Sequence, residues 1–92
     1  MSDAETGTSE ALPAPTAVAV LEYLAQALVA NPDEVRVEVD DSDGLTFNVS
    51  VADGDMGRVI GKRGRVANAI RDVSRAAAAK DGETGVSIEF VD

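Results

Sequence analysis

Val59-Ile60-Gly61-Lys62-Arg63-Gly64-Arg65 is the stretch on which the reading of this chain turns. Two glycines enclose a pair of cations, and apolar residues resume at helical spacing beyond them. Val66, Ile70, Val73 and Ala77 stand four, three and four residues apart and predict a helix from about Arg65 with one buried stripe. Asn68, Arg71 and Arg75 fall on the opposite side of that helix and read as a solvated face. On the near side, Met56, Val59 and Ile60 supply the inward positions of a short helix that Asp53 is placed to cap. Gly61 to Gly64 is therefore a tight break between two helices.

Further out, the period changes from helical to two. Downstream, Asp81-Gly82-Glu83-Thr84-Gly85 stops the helix, and Val86, Ile88 and Phe90 alternate with Ser87, Glu89 and Val91 to predict a last strand. Upstream, Val35, Val37 and Val39 alternate with Arg36, Glu38 and Asp40. After the turn sequence Asp41-Ser42-Asp43-Gly44 the alternation resumes with Leu45, Phe47, Val49 and Val51. This predicts a hairpin with one dry face. Before it, Val18, Leu21, Ala25 and Leu28 predict a first helix, with Thr16 as N-cap and Asn31-Pro32 as its stop. Residues 1 to 15 mix Ser, Thr, Gly, Pro and Glu with little to bury, the composition of a disordered acidic leader, so the folded domain is expected over residues 16 to 92. The expected order is α-β-β-α-α-β, an α+β fold.

Charge singles out the same region. Seven of the eight basic residues lie between Arg58 and Lys80, where Asp72 is the one acid, giving a formal +6; the rest of the chain carries one cation and sixteen acids, for a net −9 overall. An anionic ligand is drawn to one segment and repelled elsewhere, so binding is expected to be local rather than a general coating. The chain has neither Cys nor His. That removes thiol nucleophiles, disulfides, the commonest metal ligand and the commonest general base, and with them most enzyme classes. A non-enzymatic protein with no cofactor and no small-molecule substrate is expected. Acids occupy the N-terminus where a secretory signal needs cations, and no apolar run spans a bilayer, so a soluble, cytoplasmic protein with no membrane partner is expected.

Glycines beside cations suit phosphate. Gly lets a ligand approach the main chain closely, and the helix that begins at once aims its unpaired N–H groups into the space occupied by Lys62 and Arg63. With Val59 and Ile60 on one side and the apolar part of the Leu45 to Val51 strand on another, the expected groove has charged and apolar walls and fits a flexible single strand. Two other readings fail on spacing. A P-loop needs four residues between its glycines and Ser or Thr after the Lys, whereas three separate Gly57 from Gly61 and Arg63 follows Lys62. A calcium loop starting at Asp41 would need its bidentate acid where Ala52 stands. The three aromatics, Tyr23, Phe47 and Phe90, are too few for a base-stacking platform.

Val59-Ile60-Gly61-Lys62-Arg63-Gly64 matches the VIGxxG signature of KH domains, whose GxxG loop joins two helices. The element order matches the type II KH arrangement. Over about residues 16 to 92 the chain resembles the KhpA family, small bacterial RNA-binding proteins built from a single KH domain. The resemblance implies a three-stranded sheet with helices packed on one face, and a GxxG loop that clamps the backbone of roughly four nucleotides beside an apolar groove. Carried onto this sequence, the clamp is Gly61, Lys62, Arg63 and Gly64, the groove candidates are Val59, Ile60 and Val49, and Arg58, Arg65 and Arg71 are candidates for flanking phosphates. It also implies single-stranded RNA as ligand, a homodimer or a heterodimer with a KhpB-type KH protein, and an RNA-chaperone role affecting cell-wall biogenesis and cell shape. The competing reading is a protein-interaction module whose GxxG loop is vestigial.

Overall fold

A computed structural model describes residues 14–91, so the expected leader lies almost wholly outside the described residues. The elements follow the expected order: α1 (Pro15–Leu28), β1 (Arg36–Asp40), β2 (Thr46–Ser50), α2 (Met56–Ile60), α3 (Arg65–Lys80) and β3 (Ser87–Val91). Short 3-10 turns at Pro32–Glu34 and Lys62–Gly64 join α1 to β1 and α2 to α3.

The alternation in the hairpin sets the sheet register. β1 and β2 pair antiparallel with Val37 opposite Val49 and Val39 opposite Phe47. The turn is tightened by Asp40, whose carboxylate accepts from the Ser42 amide at 2.9 Å and hydroxyl at 2.7 Å. Those bonds, the backbone one foremost, hold the Asp40 carboxyl below its ordinary value. β3 joins β2 in parallel, with Ile88 beside Phe47 and Phe90 beside Val49, in the order β1-β2-β3. A parallel neighbour needs a crossover, and α2 with α3 supplies it. Every apolar member of these pairs therefore faces one side, where Phe47, Val49 and Ile88 join Leu21 of α1 and Val59 of α2 in the core. The other side presents Glu38, Asn48 and Glu89 in one row.

The helices lie on the dry face with α1 against α3, and small side chains fill that layer. Ala17, Ala25, Ala67, Ala77 and Ala78 are all buried. The expected α3 stripe is displaced as a result. The buried positions are Ala67, Ile70, Ser74, Ala77 and Ala78, a face rotated by roughly 60° from Val66-Ile70-Val73-Ala77 at about 100° per residue. Val73 is 51% exposed. Ala77 and Ala78 are thus core residues and not merely good helix formers.

Three boundaries also differ. Thr16 does not cap α1: the N-cap is Ala14, and Thr16 donates its amide (2.8 Å) and hydroxyl (2.9 Å) to the Asp81 carboxylate at the end of α3. An acid from a distant turn thereby serves the positive end of α1. That helix stops at Leu28, ahead of Asn31-Pro32, because Val29 is already extended. Asp53 does not cap α2 either; it is exposed, and the residue before the helix is Asp55.

Ser74 is fully buried, and its hydroxyl has no hydrogen-bond partner among the described residues. An unpaired buried hydroxyl costs about 1–3 kcal/mol. Ser74→Ala, which removes it at a position where Ala is also the better helix former, is expected to raise stability by about 1 kcal/mol, read as a higher urea midpoint at unchanged slope.

Candidate nucleic-acid interface

The loop between α2 and α3 is built by backbone conformations that few residues adopt. Gly61 sits at φ 75°, ψ 178° and Gly64 at φ 74°, ψ 13°. The two glycines have different reasons to be there. A Cβ on Gly61 would collide with Cγ2 of Val66, so its bareness admits the first turn of α3 rather than a ligand, while a Cβ on Gly64 would meet open space. Between them Arg63 is held at φ 58°, ψ 23°. A non-glycine residue in this left-handed region costs of order 1 kcal/mol, and such strain gathers at functional sites.

The consequence is a small, exposed, cationic knob. Among the described residues, neither Lys62 nor Arg63 is hydrogen-bonded or ion-paired through its side chain, and both are exposed. α3 follows at once with Gly64 as N-cap and no side-chain cap. A helix of 16 residues thus begins with amides that lack intrahelical partners and a positive dipole end beside two exposed cations. This is a ready site for an anion.

The other candidates are distributed. Arg58, with a side chain 59% exposed, stands one turn before the loop and is oriented by Asp55, whose Oδ1 lies 3.4 Å from its Nε. Arg65 faces another way, at the rim of an open groove of about 310 Å³ between α1 and α3, lined also by Leu24, Val66, Ala69, Ile70 and Val73. Arg71 lies apart from the loop. Its Nε donates to the Ile88 carbonyl at 3.1 Å, its Nη1 to Asn68 Oδ1 at 3.0 Å, and its Cζ stands 5.3 Å from the Phe90 ring centroid. Arg75 donates to the Val86 carbonyl in the same way, at 3.1 Å. These two arginines pin α3 along β3, where a solvated face was expected, and occupy edge carbonyls that could otherwise pair with another chain.

Of the groove candidates, Val59 and Val49 are both 0% exposed and belong to the core. Ile60 is half-buried and keeps surface next to the loop. The inner face of the hairpin is closed by packing, so the apolar part of β2 forms no wall of an open groove.

Sequence reasoning missed Asp55. It is 2% exposed, and its carboxylate accepts from the amides of Ala30 (3.2 Å) and Asn31 (3.0 Å) and from Asn31 Nδ2 (3.1 Å). Burial by itself pushes this carboxyl up, but the bonds from Ala30 and Asn31 and the Arg58 charge outweigh it and hold it below its ordinary value. Asp55 therefore ties the end of α1 to the start of the helix that carries the loop. Its immediate precedence to Met56-Gly57 and its spacing of three from Arg58 were the available signals, but Asp53 competes for the same cap in sequence.

The KhpA/KhpB KH domain matches residues 18–90, from the first turn of α1 to the end of the sheet. The chain belongs to that family. Proteins named RNA-binding protein KhpA are similar to it: that of Halalkalibacterium halodurans is 47% identical over 74 residues, covering 79% of this chain and 96% of the relative. That of Clostridium acetobutylicum is 49% identical over 73 residues, covering 78% and 96%, and that of Treponema pallidum 39% identical over 74 residues, covering 79% and 91%. Among solved structures, a variant of Era from Aquifex aeolicus matches with a TM-score of 0.60 at 16% identity, over 98% of this chain and 36% of that one. At that identity the likeness is one of fold, and this chain spans about a third of the Era chain. As a KhpA/KhpB KH domain, the chain carries its Gly61-Lys62-Arg63-Gly64 loop between α2 and α3 on the α-β-β-α-α-β fold. Among the described residues no helix is long and apolar enough to cross a membrane.

Proposed function

We propose that this chain is a cytoplasmic, non-enzymatic protein that binds single-stranded RNA, holding the strand's phosphates on the Gly61-Lys62-Arg63-Gly64 loop. The observation that carries this reading is the exposed pair Lys62 and Arg63 at the uncapped start of α3. Two cations beside a helix N-terminus suit phosphate, and the name shared by the relatives supplies the class of polymer. Ile60 lies beside the loop for base or ribose contact, and Arg58 for a neighbouring phosphate. The family relationship favours a post-transcriptional or RNA-chaperone role, exerted through local and modest binding because the rest of the surface is acidic. The test is a titration of the isotopically labelled protein with a ten-nucleotide single-stranded RNA. Amide shifts are expected to concentrate at residues 57–66; an unperturbed spectrum contradicts the reading.

One observation favours a second reading, a module that pairs with another copy of the chain. The groove between α1 and α3 is almost wholly apolar, with Arg65 among its lining residues, and leaves Val73 half exposed. Concentration-dependent shifts confined to Leu24, Ala69 and Val73, with none from RNA, would support this reading over the first.

A further inference from the structure

The sheet has two edges, and they are finished differently. At β3 the carbonyls of Val86 and Ile88 accept from Arg75 and Arg71, so guanidinium groups fill that rim. β1 has no such cover. Among the described residues its backbone bonds only to β2, and the pairing runs one to one from Arg36 opposite Ser50 to Asp40 opposite Thr46, with no bulge and no proline to spoil the edge. Alternate residues of a paired strand turn their N–H and C=O groups away from the partner, so β1 offers a row of main-chain donors and acceptors.

The side chains along that row define what fits beside it. On the dry face Val37 and Val39 are only half-buried, although the residues they pair with, Val49 and Phe47, are fully buried. The apolar row is thus left open on the side where a next strand would stand. On the wet face Arg36, Glu38 and Asp40 are exposed, and Glu38 is followed across the sheet by Asn48 and Glu89. With Asp41 and Asp43 in the turn, residues 36 to 43 hold four acids and one cation. A second copy is a poor occupant. Each copy carries a net −9, and antiparallel β1 strands would set Glu38 opposite Glu38 in the centred register, or Asp40 opposite Glu34 once slid to bring Arg36 opposite Glu38.

We propose that the β1 edge is a docking site for an extended, basic segment of another protein, which adds a fourth strand to the sheet. Its main chain pairs with that of β1, its apolar residues cover Val37 and Val39, and Lys or Arg at the alternate positions meet Glu38 and the acids around the turn. The inference stands apart from the RNA-binding reading, since no residue of the Gly61-Lys62-Arg63-Gly64 loop takes part.

The probe is a fluorescein-labelled peptide, Thr-Lys-Val-Lys-Val-Lys-Thr, titrated with the full chain at physiological salt. Saturable binding is expected, with amide shifts and slowed hydrogen exchange at residues 36–40. Glu38→Lys, a change at an exposed position that should fold as wild type, is expected to weaken binding about fivefold by turning a cross-strand attraction into repulsion. The permuted peptide Thr-Lys-Lys-Lys-Val-Val-Thr has the same charge without the alternation and is expected to bind at least about fivefold more weakly. Equal binding of the two peptides, or an affinity unmoved by Glu38→Lys, would overturn the inference, because charge alone would then be at work. So would a lack of saturable binding at millimolar peptide. Concentration-dependent shifts at residues 36–40 without peptide would overturn it in favour of a second copy at the edge.

Discussion

Lys62→Asp combined with Arg63→Asp is expected to reduce RNA affinity by at least about a hundredfold while leaving thermal unfolding nearly unchanged. Each charge-assisted contact with phosphate is worth about 1.5–3 kcal/mol, and tenfold in affinity is about 1.4 kcal/mol, so two lost contacts alone account for a hundredfold. Reversal adds repulsion on top of loss. The fold should not notice, because among the described residues both side chains are exposed and make no hydrogen bond or ion pair. An acid at position 63 is even a better occupant of the left-handed backbone than Arg63, since Asp is enriched there. Fluorescence anisotropy with a labelled single-stranded RNA, next to a thermal melt of each protein, checks both halves. Retained binding in the doubly reversed protein would move the contact away from the loop.

Asp55→Ala has the largest expected effect on folding, a fall of at least about 10 °C in Tm. The carboxylate is 2% exposed and takes three donors from Ala30 and Asn31. Deleting it leaves those donors without an acceptor and unties the α1 end from α2, so loop order and RNA affinity should fall together. Asp55→Asn keeps one acceptor oxygen but turns an amide toward Asn31, and an intermediate loss is expected. The pH dependence follows from the direction of the shift. Because the folded carboxyl lies below its ordinary value of 3.8, the stability it contributes is fully present above about pH 4 and disappears as pH falls through the lower folded value. Urea midpoints of wild type and Asp55→Asn should therefore converge below pH 4. A constant gap between them would show that Asp55 acts through shape rather than charge.

What was readable in the sequence was whatever depends on local period and local conformation. The hairpin alternation from Val35 to Val51, the helical spacing from Val66 and the glycines at 61 and 64 each specify their own backbone, and the α-β-β-α-α-β order follows from them. The misreadings have one physical source. Val66 and Val73 look more buried than Ala67 and Ser74 by hydrophobicity, but a helix pressed against α1 and the sheet turns its small residues inward, and large ones are left at the rim. Partners distant in sequence were beyond reach for the same reason. Thr16 with Asp81, and Arg71 with the Ile88 carbonyl, meet only after the sheet and helices have assembled. The basic island behaves likewise: contiguous in sequence, it is spread by α3 onto the loop, the lining of the α1/α3 groove and the β3 edge, which leaves Lys62 and Arg63, exposed together on one loop, as the compact anion site we propose.

The most direct test of that compact site is the salt dependence of RNA binding by the wild-type protein. Anisotropy titrations of one labelled single-stranded RNA over a series of salt concentrations should give a slope of log K against log salt of about −1.4 to −2.1, the value for two or three neutralised phosphates on a single strand. A slope near zero, or no saturable binding at high micromolar protein, would contradict the claim that the Gly61-Lys62-Arg63-Gly64 loop holds RNA by its backbone.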